Sequence, residues 1–270
     1  MKDSFFELRI SHFELRRRRA VTLLELLVVA GAITLLLGLL IPGLGRARDH
    51  AKSAVCTSNM RQLALANTMY AQDFGGMYVP GASEIQGPNL QRWHGARKKT
   101  SDPFDSSRGP LAAYLGVDAA VRACPTFAPD KPGFERGNGG YGYNNAYVGV
   151  QTVVDSKSGT VVATDLAGAR VHHLKRPADT LMFADSAFVT GSLIEYSFAE
   201  PRFHPQFQTR ADPSIHFRHV GHTNIAWCDG HVSAERRTFT SWSGLYEGDP
   251  ARHNIGWFGD SDDNTFFDLQ

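Results

Sequence analysis

The chain has 270 residues, of which 42% are apolar, and its formal net charge is +1. These values leave room for one long helix and one globular domain, or for two small domains, with enough apolar side chains for a core. The near-zero charge excludes the broad basic surface of a general nucleic-acid-binding protein, so we expect no nucleic-acid partner.

A basic segment followed by a long apolar run comes first along the chain. Arg16–Arg19 are consecutive arginines, and the run from Val21 to Ile41 contains a single charged residue, Glu25. A helix over this run would be about 31 Å long, enough to cross the hydrocarbon core of a bilayer. Arginines mark the cytoplasmic end of such a span. The sequence therefore predicts a single-pass membrane protein with its N-terminus in the cytoplasm and its later residues outside the cytoplasm.

Glu25 needs an explanation, because a carboxylate within an apolar span is costly and usually has a partner or a purpose. A cut between Ala20 and Val21 would create an amino group four residues before Glu25, on the same helical face. Within one helix this pair would be loose. Between neighbouring helices of a bundle, the amino group and the carboxylate could form a direct salt bridge that fixes their axial register.

The segment Arg-Arg-Ala-Val-Thr-Leu-Leu-Glu-Leu-Leu-Val-Val resembles the class III signal of type IV prepilins and type II secretion pseudopilins. The resemblance implies that a prepilin peptidase removes residues 1–20 as a basic leader, that Val21 becomes the N-methylated first residue, and that Glu25 guides assembly. It also implies other pilin or pseudopilin subunits, an inner-membrane assembly platform and membrane lipid as partners. The compartment implied is the inner (cytoplasmic) membrane, with the later residues in the periplasm or outside the cell. The family usually has Gly before the cut and Phe after it, where this chain has Ala20 and Val21.

Two alternatives exist for this segment. One is an uncleaved signal anchor. The other is a secretory signal cut after Ala30-Gly31-Ala32, which the continuing apolar run disfavours.

The helix is expected to continue after the membrane span, so that it covers residues 21–75, with 21–41 transmembrane and 46–73 amphipathic. Pro42, with Gly43 and Gly45, should kink or loosen it. One face of the second part carries residues spaced by three and four, which favours packing against the globular domain over a free coiled coil. This stripe comprises Cys56, Met60, Leu63, Asn67 and Tyr70, widened by Leu65, Ala66 and Met69.

Residues 76–270 have frequent glycine and proline and short apolar runs, which indicates one β-rich extracytoplasmic domain docked on the helix, an α+β arrangement. The resemblance implies that this arrangement is pilin-like. A short helix is predicted at Pro110–Leu115. Strands are predicted at Tyr147–Val154, Thr160–Thr164, Thr180–Ala184, Asn224–Trp227 and His231–Ala234.

The last two strands flank Asp229-Gly230, a dipeptide that favours a type I′ hairpin turn. His219 precedes it, and this His-x9-Asp-Gly pattern resembles the carboxyl-terminal signature of a large bacterial group of prepilin-type proteins. Other segments resemble the same group: Cys56-Thr-Ser-Asn-Met-Arg-Gln-Leu, Cys124-Pro125, Tyr141-Gly-Tyr-Asn144 and Thr180-Leu-Met-Phe-Ala-Asp185. The group implies a pilin-like architecture but no known activity.

Three sets of residues are candidates for chemistry. His219, His222, Asp229 and His231 could bind zinc with one position left open, as a hydrolase requires. A hairpin whose His and Asp side chains hydrogen-bond to the backbone is the favoured interpretation of the same four residues.

Asp260, Asp262 and Asn264 have the spacing of a calcium loop. Thr265 stands where an EF-hand needs glycine, which excludes an EF-hand. A looser calcium loop, known at the carboxyl-terminal sites of major pseudopilins, is the alternative to a solvated acidic tail.

The third set is the cysteines. A Cys56–Cys124 disulfide would join the helix to the domain and leave Cys228 as a buried thiol, and three reduced thiols are the competing interpretation.

These features favour a pseudopilin or minor pilin, a structural subunit rather than an enzyme, which is assembled through its N-terminal helix into a type II secretion or type IV pilus-like system. The alternatives are a membrane-anchored extracytoplasmic binding protein and a metal-dependent hydrolase that uses the histidine cluster.

Overall fold

The computed structural model describes residues 21–85, 87–116, 123–154, 161–164, 167–205 and 209–270. The predicted leader, with Ala20, lies outside the described residues. The chain divides into two compact units. The first ends at Arg46, and the second begins at Ala47. The predicted boundary between the membrane span and the amphipathic part of the helix falls at the same place.

A single long helix, α1, covers Leu23–Asp73. It passes Pro42, Gly43 and Gly45 without an interruption, so the loosening expected there does not divide it. Proline removes one backbone donor, and the hydrogen bonds of the flanking turns are enough to keep the path helical. The helix ends as predicted: Gly75 and Gly76 have positive φ, and Gly76 N donates to Ala71 O at 2.7 Å, as in a Schellman motif.

Twelve short strands are found in the described part of the chain. They are β1 Gln91–Arg92, β2 Gly95–Ala96, β3 Tyr141–Tyr143, β4 Gln151–Val154, β5 Val161–Thr164, β6 Leu181–Asp185, β7 Phe188–Val189, β8 Leu193–Ile194, β9 Ile215–His216, β10 His222–Trp227, β11 Val232–Arg236 and β12 Ile255–Gly256. A 3-10 helix at Ala112–Tyr114 lies within the short helix predicted from the sequence, and two others lie at Ser106–Arg108 and Val171–His173.

The central sheet has four antiparallel strands in the order β11-β10-β6-β3. Four two-stranded antiparallel pairs complete the β structure: β1 with β2, β4 with β5, β7 with β8, and β9 with β12. Each of the five predicted strands overlaps one of these elements. One long helix followed by a β-rich region confirms the α+β class.

The second part of α1 packs on the central sheet through most of the predicted stripe. Cys56, Met60 and Leu63 join one apolar cluster with Tyr141 and Phe183 of the sheet. The stripe is narrower than predicted, because Leu65 and Met69 are exposed while Ala66 is buried. Successive helical residues are about 100° apart, so a stripe that faces a single sheet cannot also include these two positions.

Asn67 is the polar member of this buried stripe, and its hydrogen bonds explain why an amide is found there. Its Nδ2 donates to Tyr143 Oη at 3.1 Å, and its Oδ1 accepts from Val79 N at 2.9 Å. Tyr143 Oη in turn donates to Val79 O at 3.0 Å. A buried amide with partners on both of its polar atoms stabilises the contact rather than weakening it.

The opposite face of the sheet is covered by carboxyl-terminal residues. Ile225 and Trp227 of β10 belong to a second apolar cluster with Trp257, Phe258 and Phe267, whereas Ala226 between them belongs to the helix-facing cluster. Side chains alternate between the two faces of a strand, so both faces of the sheet are buried. This explains why every residue of β6 is buried and why its sequence shows no alternation of apolar and polar residues.

Candidate functional site

The start of α1 carries the residues predicted for processing and assembly. Val21 is the first described residue and is exposed. Thr22 and Glu25 form a reciprocal capping box. Thr22 N and Oγ1 donate to Glu25 Oε2 at 2.8 and 3.0 Å, and Glu25 N donates to Thr22 Oγ1 at 3.2 Å. The Thr-x-x-Glu spacing was visible in the sequence, and a capping role for Glu25 was missed there.

The capping box leaves Glu25 able to meet another group. Both bonds from Thr22 use Oε2, and the residue is exposed, so Oε1 is accessible. A local cap and a contact with a neighbouring molecule are therefore compatible roles for the same carboxylate.

The first part of α1, from Leu23 to Leu44, has an apolar surface on all sides. Fifteen large apolar side chains from Val21 to Leu44 are at least 50% exposed. They are Val21, Leu23, Leu24, Leu26, Leu27, Val28, Val29, Ile33, Leu35, Leu36, Leu37, Leu39, Leu40, Ile41 and Leu44. The helix is long and apolar enough to cross a membrane, with a mean hydropathy of 2.6 in its most apolar window. This finding rests on length and composition alone.

The four residues proposed as a zinc hydrolase site are not brought together. His219 is buried, whereas Asp229 and His231 are accessible and contact each other, with 2.7 Å between Asp229 Oδ1 and His231 Nδ1. His222 Nε2 accepts from Arg236 Nε at 3.0 Å. Among the described residues, the group of potential ligands that contains His219 includes none of the other three. These four residues therefore share no common metal-binding position in this structure. Their contacts are those of the favoured hairpin interpretation, since Asp229 Oδ1 accepts from His231 N at 3.0 Å and His222 Nδ1 lies 3.2 Å from Val220 O.

The predicted hairpin is present, but the turn differs from the expected one. Strands β10 and β11 are antiparallel neighbours joined at Asp229-Gly230. Gly230 has φ of 92°, whereas Asp229 is not among the residues with positive φ, so a type I′ turn is excluded here. Trp227 N donates to His231 O at 3.0 Å, which leaves three residues in the loop. Such loops usually combine a type I turn with a glycine in the left-handed region.

A tight turn with both central residues at positive φ occurs instead directly after His219. Val220 and Gly221 have φ of 55° and 81°, and His219 and His222 exchange backbone hydrogen bonds of 2.9 and 3.1 Å across them. A β-branched residue in this conformation is strained by roughly 1–3 kcal/mol. The surrounding structure must therefore hold the turn, and with it the position of His219.

His219 belongs to a buried cluster with Cys56, Cys124 and Asp185. Their sulfur, nitrogen and oxygen atoms all lie within 4.8 Å of one another. His219 Nε2 is 3.6 Å from Cys124 Sγ and 3.3 Å from Asp185 Oδ2. Cys56 comes from α1, Asp185 from the end of β6, and the other two from loops. These ligand-type groups could hold a metal ion, and the two sulfurs are close neighbours.

Hydrogen bonds fix the orientation of the cluster residues. Asp185 Oδ1 accepts from Arg218 at 2.8 Å, and its Oδ2 accepts from Asn224 N at 2.8 Å. Tyr141 Oη donates to Cys56 Sγ at 3.4 Å. The carboxylate and one sulfur are thus held from outside the cluster, as in a preorganised site.

The electrostatics of the cluster follow from its contacts. Hydrogen bonds from Cys56 first, and then from His219, lower the pKa of Cys124 to about 4. The hydrogen bond with Cys124 and burial raise the pKa of Cys56. Burial lowers the pKa of His219, but hydrogen bonds to Asp185 and Cys124 outweigh it and raise the pKa to about 9. Burial opposes ionisation of Asp185, yet Arg218 and His219 keep its pKa below the usual value.

All three cysteines are free thiols in this structure, so the proposed Cys56–Cys124 disulfide is not formed in it. The structure does place these two residues together, and Cys228 lies outside the cluster, buried in the helix-facing core. The sequence did not mark Asp185 as a site residue. A signal was present, since Cys56, Cys124, Asp185 and His219 each lie in a different one of the segments that carry the resemblance.

The candidate calcium residues are engaged in protein contacts. Asp262 forms ion pairs with Arg210 at 2.6 Å and with Arg202 at 3.3 Å. Asn264 Oδ1 accepts from Phe203 N at 3.0 Å. Because two guanidinium groups already neutralise Asp262, this arrangement favours an acidic segment with a structural role over a calcium loop.

Comparisons of this chain with protein-family models, with curated proteins and with solved structures find no match. The functional interpretation therefore depends on the residues themselves.

Proposed function

We propose that this protein is a pseudopilin or minor-pilin-like structural subunit. It would be cut by a prepilin peptidase between Ala20 and Val21 and assembled through α1 into a type II secretion or type IV pilus-like system. The observation that carries this proposal is the first part of α1, from Leu23 to Arg46. It is a helix whose apolar side chains are exposed on all sides, with a single carboxylate, Glu25, in its first turn.

An apolar surface of this extent needs a cover other than water, since exposing apolar area costs roughly 25 cal/mol per Å². Lipid supplies that cover before assembly, and the helices of neighbouring subunits supply it in a filament. The arginines at Arg16–Arg19 favour an orientation with the leader in the cytoplasm and residues 47–270 outside. The compartment is then the inner membrane with the β-rich domain on its outer side.

Glu25 favours assembly over simple anchoring. A carboxylate among the leucines of a membrane helix is costly, and such residues usually mark a function. In the proposed filament, Oε1 of Glu25 meets the new amino group of Val21 on a neighbouring subunit, while Oε2 keeps its bonds to Thr22. The assembly platform and the peptidase are the further partners that this pathway requires.

The experiment that tests the proposal is mass spectrometry of the intact chain and its amino-terminal peptide, isolated from native membranes. We expect a mature chain that begins at N-methyl Val21. A chain that still begins near Met1 would overturn the proposal and leave an anchored extracytoplasmic binding protein.

Two variants at the cut make this test sharper. Ala20→Leu should block processing, because the peptidase of the resembled family requires a small residue there. Ala20→Gly, which restores the usual family residue, should be cut at least as efficiently as the natural chain. Equal processing of both variants would indicate a different protease.

A further inference from the structure

We propose that Cys56, Cys124, Asp185 and His219 bind one Zn²⁺ ion as a closed structural site. The ion would fasten α1 to the sheet and to the loop that carries His219. This inference concerns the second unit of the chain alone and does not rest on the proposed function.

Two distances between ligand atoms, both from His219 Nε2, match those of a tetrahedral zinc site, and all four ligand atoms lie within 4.8 Å of one another. Zinc–sulfur bonds of about 2.3 Å and zinc–nitrogen or zinc–oxygen bonds of about 2.0–2.2 Å, at tetrahedral angles, separate sulfur from nitrogen by about 3.6 Å and nitrogen from oxygen by about 3.3–3.4 Å. The observed separations are 3.6 Å from Cys124 Sγ to His219 Nε2 and 3.3 Å from His219 Nε2 to Asp185 Oδ2.

The chemical types of the ligands select zinc among the common metals. Two thiolates, an imidazole and a carboxylate form a mixed set that zinc accepts, whereas calcium and magnesium prefer oxygen ligands only. Iron–sulfur clusters are usually held by four cysteines. The set is also complete with four protein ligands, which is the pattern of a structural rather than a catalytic zinc site.

Burial and charge support the same assignment. All four residues are buried, with exposed fractions of 0% for Cys56 and Asp185, 2% for Cys124 and 5% for His219. Two thiolates and one carboxylate carry three negative charges, and Zn²⁺ together with the buried Arg218 balances them. A neutral assembly avoids the large cost of an unpaired charge in the protein interior.

The groups around the cluster already hold the ligands in place. Arg218 and the backbone N–H of Asn224 bind Asp185, and Tyr141 Oη donates to Cys56 Sγ. Outer partners of this kind orient metal ligands and increase their affinity. His219 Nε2 is the nitrogen that faces Cys124 Sγ and Asp185 Oδ2.

A disulfide between Cys56 and Cys124 is the main competing state. A disulfide would involve the two sulfur atoms only. It would not explain why Asp185 and His219 lie next to them. The strained turn at Val220-Gly221 also becomes understandable, because it aims His219 at the sulfurs and a bound ion would stabilise it.

The test uses the full chain in detergent, isolated without chelator, with bound metal measured by inductively coupled plasma mass spectrometry. We expect one zinc per chain. After exchange, Co²⁺ should give a thiolate-to-cobalt charge-transfer band and the intense visible bands of tetrahedral cobalt. Cys124→Ser and His219→Ala should lose the zinc. Cys228→Ser and His222→Ala are the matched controls, a buried cysteine and a nearby histidine outside the cluster, and they should keep it.

X-ray absorption at the zinc edge on the unmodified chain provides a result that does not depend on how variants fold. We expect two sulfur ligands and two nitrogen or oxygen ligands. A different ligand count, retention of zinc by Cys124→Ser, or a metal-free chain from native membranes with a Cys56–Cys124 disulfide would each overturn the proposal.

Discussion

Between Leu23 and Arg46, α1 exposes leucine and valine side chains on all sides, whereas from Ala47 to Asp73 the same helix buries one stripe against the four-stranded sheet. Both regions are helical, so helix propensity does not distinguish them. The difference lies in the distribution of polar residues. The second region has a polar face and therefore a defined buried face, and the first has neither. A helix that is apolar all round needs partners that the chain itself does not supply.

The largest expected effect comes from removing the one carboxylate in the first region. Glu25→Gln should abolish incorporation into assemblies, measured by crosslinking between mature chains in native membranes, while insertion and processing continue. Glutamine at this position can still bind Thr22 and keep the capping box. The variant thus separates the charge from the cap.

The control for Glu25→Gln is Thr22→Val, which removes the hydroxyl of the cap and keeps the carboxylate. We expect it to assemble with little loss. If instead Glu25→Gln assembles normally and Thr22→Val does not, Glu25 acts only as a cap. The first region of α1 would then serve as a membrane anchor and not as an assembly element.

A second pair of variants tests the second region. Leu63 is 2% exposed and Leu65 is 59% exposed on the same helix. Leu63→Ala should lower the free energy of unfolding of the second unit by about 2–5 kcal/mol, because it leaves a cavity in the core. Leu65→Ala should change it by less than about 0.5 kcal/mol. Denaturant titration of the full chain in detergent measures both, and equal effects would show that Leu65 has a covered position in solution.

The sequence predicted the parts of this fold that depend on local pattern. The apolar run, the stripe through Cys56, Met60 and Leu63, and the strands around Asp229-Gly230 follow from periodicity and turn chemistry. The cluster at His219 could not be predicted in this way. Its four members lie far apart in sequence, and only the tertiary arrangement of helix, sheet and loops brings them together.

The hypothesis of a zinc site at the histidines shows that closeness in sequence does not by itself establish a metal site. His219, His222 and His231 are close in sequence, but a hairpin sends them to different surroundings. The location of the tight turn was also predicted incorrectly. The turn with two positive φ values is at Val220-Gly221 and not at Asp229-Gly230. A valine at positive φ is unfavourable locally, so no local rule would place a turn of that type there.

The smallest expected effect concerns acid stability of the second unit. His94 is buried beside the rings of Trp93 and Phe104, and burial first, then Arg92 and Arg97, lower its pKa to about 3. In the unfolded chain a histidine has a pKa near 6.5, so acid protonates the unfolded state first. The stability that neutral His94 contributes is fully present above about pH 6.5 and is lost as the pH falls towards 3.

His94→Phe keeps an aromatic ring against Trp93 and Phe104 and removes the titration. Between pH 7 and pH 4 the natural chain should therefore lose about 3 kcal/mol more stability than the variant, measured by denaturant titration in detergent at each pH. Other acidic and histidine groups titrate equally in both chains and cancel in the difference. The exposed His172→Phe variant serves as the control and should follow the natural chain. If the stability of His94→Phe depends on pH in the same way as that of the natural chain, His94 is protonated within the folded second unit. Water would then reach His94 without unfolding.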